Sequence, residues 1–326
     1  MVTLWFSLVV LCWVLFFVLE GFDFGVGVLG PVLGRDDHER GAIVRTVGPF
    51  WDGNEVWLVA AIGVTFAAFP DWYAAMLSGL YLPMVLILLL LAVRGVALEF
   101  RGKGDGERFR RRCDAALAAS SAGIVLLWGA FLGILTTGLA IGADGEVRGT
   151  GLSRTLGPLF SLPALAGALI AMFAALLLGA TFLALRTTGP VHARARAWTI
   201  RLAAAGTAAL AVTGFALGNR MILTGAVLSL GVTLISRYGR ELLAFAGTAL
   251  GVALATVAVF TVHGDVVLHS TLNDAWSLTR DGAAATDSAL KLITVFGVIV
   301  LPGVLVYQAF SYWVFRKRVA SERVAS

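Results

Sequence analysis

The chain has 326 residues, of which 59% are hydrophobic and only 14% charged. A soluble domain is roughly 45–50% apolar and about 25% charged, so this composition, with a mean hydropathy of +0.88, excludes a water-soluble enzyme and a disordered chain alike. The net charge of +5 would suggest a nucleic-acid partner only if the cations were not membrane-topology signals, and their distribution along the chain reads as topology.

A membrane-spanning helix needs about 20 mostly apolar residues. Nine segments qualify in chain order: 4–30, 54–70, 76–99, 115–141, 159–185, 199–217, 221–236, 242–262 and 291–315. The seventh is short, and a tight Gly218-Asn219-Arg220 turn joins it to the sixth. The apolar runs are continuous rather than alternating, which argues against a strand barrel. The first run has no basic segment before it and no small-residue cleavage site, so it reads as a retained span. Cys12 lies in an apolar run and Cys113 in a basic loop; two such cysteines found no disulfide framework.

Twenty of the 25 Lys and Arg residues fall on one side of the predicted membrane. They include Arg35, Arg40 and Arg45, the cluster from Arg94 through Arg112, Arg186, Arg194, Arg196 and Arg201, Arg237 and Arg240, and Arg316 to Arg323. Cytoplasmic loops carry such an excess, so the N-terminus is expected outside and the C-terminus inside. The longest loops, 101–114, 142–158 and 263–290, are too short to build a core. The expectation is an all-α integral membrane protein forming one membrane domain over 1–326. Residues 1–141 and 159–262 would each make a four-helix bundle, with the ninth helix, 291–315, added at the end.

Carboxylates inside spans are costly and usually functional. Glu20 and Asp23 lie in the first span, in LEGFDFGVG, and Asp52 and Glu55 open the second, in WDGNEVW. Each pair is spaced i, i+3 and so shares one helical face. The predicted topology brings all four to the inner surface, where a row of exchangeable groups suits proton uptake from the cytoplasm. Asp52 reads equally well as a helix cap. Arg94 and Glu99 fall near the inner end of the third span; Arg94 either snorkels to the interface or acts as a counter-ion to the acidic cluster. Arg101, Lys103 and Arg108 to Arg112 read as a cytoplasmic anchor. Gly21 and Gly25 form a GxxxG step that permits close helix approach. Most tryptophans sit near span ends, as belts do; Trp128 lies mid-span and reads as bundle packing.

His38, His192, His263 and His269 all lie in loops or at span ends. Transmembrane b-type haems are usually held by axial ligands within spans, so the chain is expected to carry no such haem pair, and it has no metal-ligand spacing or phosphate-binding loop.

The motifs LEGFDFGVG (19–27) and GPFWDGNEVWLV (48–59) resemble those of subunit II of the cytochrome bd-type quinol oxidases. AAFPDWYAAMLSGLYLPM (67–84), RGVALEFRGK (94–103), SLTRDGAAATDSALKLIT (277–294) and YQAFSYWVF (307–315) continue the resemblance, while 115–260 matches only in hydropathy. The resemblance implies a haem-free subunit of two four-helix bundles plus one helix in the bacterial plasma membrane. It would pair with a haem-bearing subunit I that holds two b-type haems and one d-type haem. The complex would couple quinol oxidation to reduction of O₂ to water. The resemblance also implies that Asp52 serves a proton route from the cytoplasm, with Glu20 and Asp23 at the matching acidic positions. Glu55 falls where some relatives have glutamine, and Trp57 would line an apolar route for oxygen. A structural quinone or lipid on this chain, and small accessory subunits, stay open. The alternatives are a proton-coupled secondary transporter and a purely structural membrane scaffold.

Overall fold

A computed structural model describes residues 1–104 and 106–322; Arg323, counted above among the inner cations, lies outside the described residues. In lipid only helices and closed barrels satisfy every backbone group, and this chain takes the helical solution. The elements in order are α1 (Val2–Leu33), α2 (Asp37–Val47), α3 (Trp51–Ala68), α4 (Pro70–Gly79), α5 (Tyr81–Phe100), α6 (Glu107–Leu135), α7 (Gly151–Leu156), α8 (Leu162–Arg186), β1 (Thr187–Thr188), α9 (Gly189–Leu217), α10 (Arg220–Arg237), α11 (Glu241–Thr261), β2 (Val266–Leu268), β3 (Leu278–Thr279), α12 (Asp287–Val314) and β4 (Val319–Ala320). Among the described residues, eight helices are long and apolar enough to cross a membrane: α1, α5, α6, α8, α9, α10, α11 and α12. The predicted second span corresponds to α3, whose polar opening turn (Asp52, Asn54, Glu55) keeps it out of that set.

Several helix ends differ from the hydropathy reading. The predicted third span begins inside α4, which ends at Gly79, and a break at Leu80 precedes α5. Pro70 ends α3, because the residue before a proline avoids the helical region, and Phe69 sits at φ −138°, ψ 67°. The predicted fourth span runs to 141, but α6 stops at Leu135; Leu139 then bridges to Ser270 and Ile141 to Val147. α9 begins at Gly189, ten residues before the predicted sixth span, because the helix continues through the basic stretch outside the apolar run. The turn between α9 and α10 needs its glycine: Gly218 has φ 61°, and the side-chain oxygen of Asn219 accepts from the N–H groups of Met221 and Ile222 to cap α10.

α1 is the central element and packs against α3, α6, α8 and α11. Its upper half carries an aromatic core: Trp13 lies 5.1 Å from Trp128 and 5.6 Å from Phe131, ring centroid to centroid, and Phe16 lies 5.5 Å from Trp128. Trp128 is therefore a packing residue between α1 and α6, as its mid-span position suggested. At the other end of α1, Gly25 meets Gly179 of α8 backbone to backbone, and Gly129 and Gly133 of α6 meet Gly167 of α8 in the same way. Side chains at these crossings would hold the helices apart.

The basic end of the bundle is laced by ion pairs. The Arg101 guanidinium reaches both carboxylate oxygens of Asp114, at 2.5 and 3.2 Å, and Asp37 Oδ1 at 3.0 Å. Arg40 pairs with Asp114 at 3.1 Å and Arg110 with Asp37 at 2.8 Å. Arg101, expected as a cytoplasmic anchor, is buried and ties α2, α5 and α6 together. The chain's last described segment straps the same end: β4 pairs in parallel with β1, and the Ser321 hydroxyl donates to the Thr188 carbonyl.

Glu39 links α2 to α9. Its Oε2 takes the Arg194 guanidinium and the Arg35 N–H, each at 2.7 Å. Burial opposes its ionisation, but these two partners outweigh it and hold the carboxyl below the usual glutamate range. A depressed folded-state value adds stability above the ordinary glutamate range, and that stability is lost as pH falls through the folded value. Amide exchange in α2, corrected for intrinsic rates, is expected to quicken as pH drops through that window, and Glu39→Gln should remove the dependence. Protection of α2 that ignored pH in the unaltered chain would contradict this linkage.

Candidate functional site

The buried acidic cluster is assembled from four helices. α1 supplies Glu20 and Asp23, 0% and 1% exposed. α5 supplies Arg94, equally buried, whose Nη1 lies 3.3 Å from Glu20 Oε2 and whose Nη2 lies 4.0 Å from Asp23 Oδ2. The Arg94 guanidinium also lies 4.8 Å from the centre of the Phe24 ring. Of the two positions open to Arg94 from sequence, the structure thus shows the counter-ion geometry. α3 supplies Asn54, which donates from Nδ2 to Asp23 Oδ2 at 2.7 Å. α12 supplies Gln308 and Tyr312, whose Nε2 and hydroxyl donate to Asn54 Oδ1 at 2.8 and 2.7 Å.

The other candidates are placed in graded positions. Glu55 is half-buried and close enough to interact electrostatically with Arg94 and with Asp52. Asp52 is exposed on the first turn of α3 and does not cap it; the N-cap residue is Phe50, without a side-chain cap bond. A negative charge in that first turn is still favoured by the helix dipole. Glu99 is not part of the cluster: it pairs with Lys103 at 3.2 Å on the surface. Trp57 is buried in the apolar core that also holds Phe16, Phe24 and Ile124.

Burying two carboxylates and one guanidinium is expensive, and the cost is offset only by close pairing and hydrogen bonds. Here the pairing is incomplete. Among the described residues, both oxygens of Glu20, Asp23 Oδ1 and all three nitrogens of Arg94 have ion-pair contacts at most and no hydrogen bond of good geometry. Sequence reasoning missed Asn54, Gln308 and Tyr312. The available signal was slight: Gln308 and Tyr312, spaced i, i+4 in the mostly apolar last span.

Of the four histidines, His38 lies in α2, His192 in the first turn of α9, and His263 and His269 after α11. His192 Nδ1 bonds the Ala184 carbonyl at 2.8 Å. His263 and His269 stack ring on ring at 5.3 Å beyond the end of α11, with His263 Nε2 on the Thr136 carbonyl.

Fold and site together define an all-helical, multi-pass membrane protein with a buried acidic cluster at its basic end. A model of the family described as cytochrome bd terminal oxidase subunit II matches residues 1–315. The chain is 35% identical to cytochrome bd ubiquinol oxidase subunit 2 of Bacillus subtilis, over 97% of this chain and 96% of that protein. It is 31% identical to cytochrome bd-I ubiquinol oxidase subunit 2 of Escherichia coli K12, over 98% and 96%. A chain of the bd oxidase from Geobacillus thermodenitrificans has the same fold, with TM-score 0.71, 20% identity and coverage of 97% of this chain and 99% of that one. The chain belongs to the cytochrome bd terminal oxidase subunit II family, and is therefore a subunit of an oxidoreductase complex.

Proposed function

We propose that this chain is the haem-free subunit of a quinol-oxidising terminal oxidase of the bacterial plasma membrane, and that it takes up protons from the cytoplasm for oxygen reduction. The observation that carries the reading is the gradient of exposure along one row of carboxylates: exposed Asp52, half-buried Glu55, fully buried Asp23 and Glu20. The chain would cross the membrane nine times, α3 included, with its N-terminus outside. The α1, α3, α5, α6 and the α8–α11 groups would form two four-helix bundles, and α12 would be the ninth span, packed against α3.

Haems in a partner subunit I, two of b type and one of d type, supply the electron transfer and the oxygen chemistry. The chain's own residues do the rest. Asp52 meets the cytoplasmic water and takes a proton, Glu55 relays it, and Asp23 and Glu20 hold it beside Arg94, whose fixed positive charge keeps the buried site from accumulating negative charge. If quinol releases its protons outside while oxygen reduction draws protons from inside, charge is separated without a pump. Each elementary charge is worth about 2.3 kcal/mol per 100 mV. Trp57, in the apolar core, fits the wall of an oxygen route. A structural quinone or lipid would lie on the exposed apolar faces, and small accessory subunits would share them.

Asp52→Asn in the purified complex is expected to slow quinol-driven oxygen consumption by at least tenfold, in the range of lost acid–base groups, while haem content and subunit ratio stay unchanged. Full turnover in that variant would remove Asp52 from the path.

A further inference from the structure

The WDGN stretch puts consecutive residues in different environments. Asp52 faces outward, Gly53 lies beneath α12, and Asn54 is buried. A β-carbon at Gly53 would stand 3.5 Å from Gln308 Oε1, so a larger side chain there would push α12 away from Asn54. Resting on the proton-uptake reading above, we propose that Gln308 and Tyr312 are positioning residues of that path. They lock the Asn54 side-chain amide so that its N–H stays on Asp23 Oδ2, leaving Asp23 Oδ1 as the oxygen that accepts and releases the proton.

The lock follows from donor and acceptor counting. An amide oxygen has two lone pairs, and Asn54 Oδ1 receives one donor for each, from Gln308 and from Tyr312. Turned over, the amide would set its NH₂ against the Gln308 NH₂ and its oxygen against the Asp23 carboxylate. The contact with Asp23 repels while that carboxyl is ionised, and with Gln308 and Tyr312 placed as they are only the orientation seen gives Asn54 Oδ1 both donors. Gln308 and Tyr312 are four residues apart and share a face of α12. Tyr312 is held in its own right: its ring stacks on Phe50 at 4.5 Å with planes 9° apart, and Arg186 lies 5.4 Å from the centre of the Phe50 ring. Arg186 also donates to the Phe315 carbonyl at the end of α12.

The groups that act on Asp23 come from four helices. They are Glu20 on α1, Asn54 and Glu55 on α3, Arg94 on α5 and Tyr312 on α12. With Oδ2 engaged by Asn54 and Oδ1 hydrogen-bonded by no described residue, the new O–H bond forms at Oδ1 and breaks there when the proton moves on. Without the lock, Asn54 can rotate and either oxygen can be blocked.

The test uses the whole complex. Tyr312→Phe removes one oxygen and keeps the ring stack; Gln308→Leu removes the second donor. Each is expected to lower quinol-driven oxygen consumption by about tenfold, the scale of a hydrogen bond that acts on a charged group. Each is also expected to move the pH profile of turnover by about one pH unit, with haem spectrum and subunit ratio unchanged. In an Asn54→Leu background neither substitution should have any further effect, because both act through Asn54. Should Gln308→Leu fail to assemble, Tyr312→Phe carries the test alone. Wild-type turnover and an unmoved pH profile in Tyr312→Phe, while Asp23→Asn and Asp52→Asn are slow, would overturn the positioning role and leave the proton path standing. Full activity in Asp23→Asn and Asp52→Asn would bring down the path itself. A loss of activity that merely tracked the amount of assembled complex would reduce Gln308 and Tyr312 to packing.

Discussion

Arg94→Ala is expected to prevent accumulation of the assembled complex, not merely to slow it. The substitution leaves Glu20 and Asp23 facing each other at 0% and 1% exposure with no cation between them. Removing one partner of a buried ion pair costs about 3–5 kcal/mol, and here two carboxylates depend on the same guanidinium. The measurement is the yield of tagged chain with its haem-bearing partner, read from the visible spectrum and the gel. The triple variant Arg94→Met, Glu20→Gln, Asp23→Asn removes all the charges at once. Replacing a buried ionic group as a unit is often near neutral for stability, so this variant should assemble again yet turn over poorly, having lost its protonatable groups. Assembly of Arg94→Ala at the normal level would show that the three residues are not one charge-balanced unit.

Gly25→Leu should be worse still, because it acts on backbone. A β-carbon at Gly25 would lie 1.8 Å from the Ala175 carbonyl oxygen and 2.9 Å from the Gly179 nitrogen. Overpacking costs about 1–3 kcal/mol when neighbouring side chains can shift. Here no rotamer change gives relief, so α1 and α8 must separate and the acidic cluster on α1 moves with them. The expected result is no recoverable folded complex in mild detergent. Gly251→Ala on α11 is the control: nothing lies within 4 Å of a β-carbon there, and alanine favours a helix interior over glycine. A Gly25→Leu complex with an unchanged unfolding temperature would mean that the helices do not cross this closely.

Eight of the nine expected spans were legible because an apolar run in lipid has one local option. An apolar run of sufficient length must satisfy its own backbone, so the run is the helix. The ends were not, since hydropathy marks where a helix leaves the apolar layer rather than where it stops. α9 shows this, running helical through Pro190, Arg194 and Arg196 before its apolar part begins. Within the site, Glu20, Asp23 and Arg94 stood out because charge in an apolar run is costly. Asn54, Gln308 and Tyr312 did not, since neutral polar groups cost less and their bonds join positions 254 and 258 residues apart. Arg101 was hidden for another reason. It stands among other cations, and the carboxylates it binds, Asp37 and Asp114, lie in separate segments that only the fold brings together.

The order in which the polypeptide is made gives α12 a further meaning. Domains and segments emerge N-terminus first, so Glu20, Asp23, Asn54 and Arg94 enter the bilayer long before the donors that fix Asn54. The nascent chain therefore holds buried charges in an unfinished cage until α12 docks. A ribosome that stalls before codon 308 releases a product already inserted but lacking both donors to Asn54. The site is therefore complete only once α12 is in place.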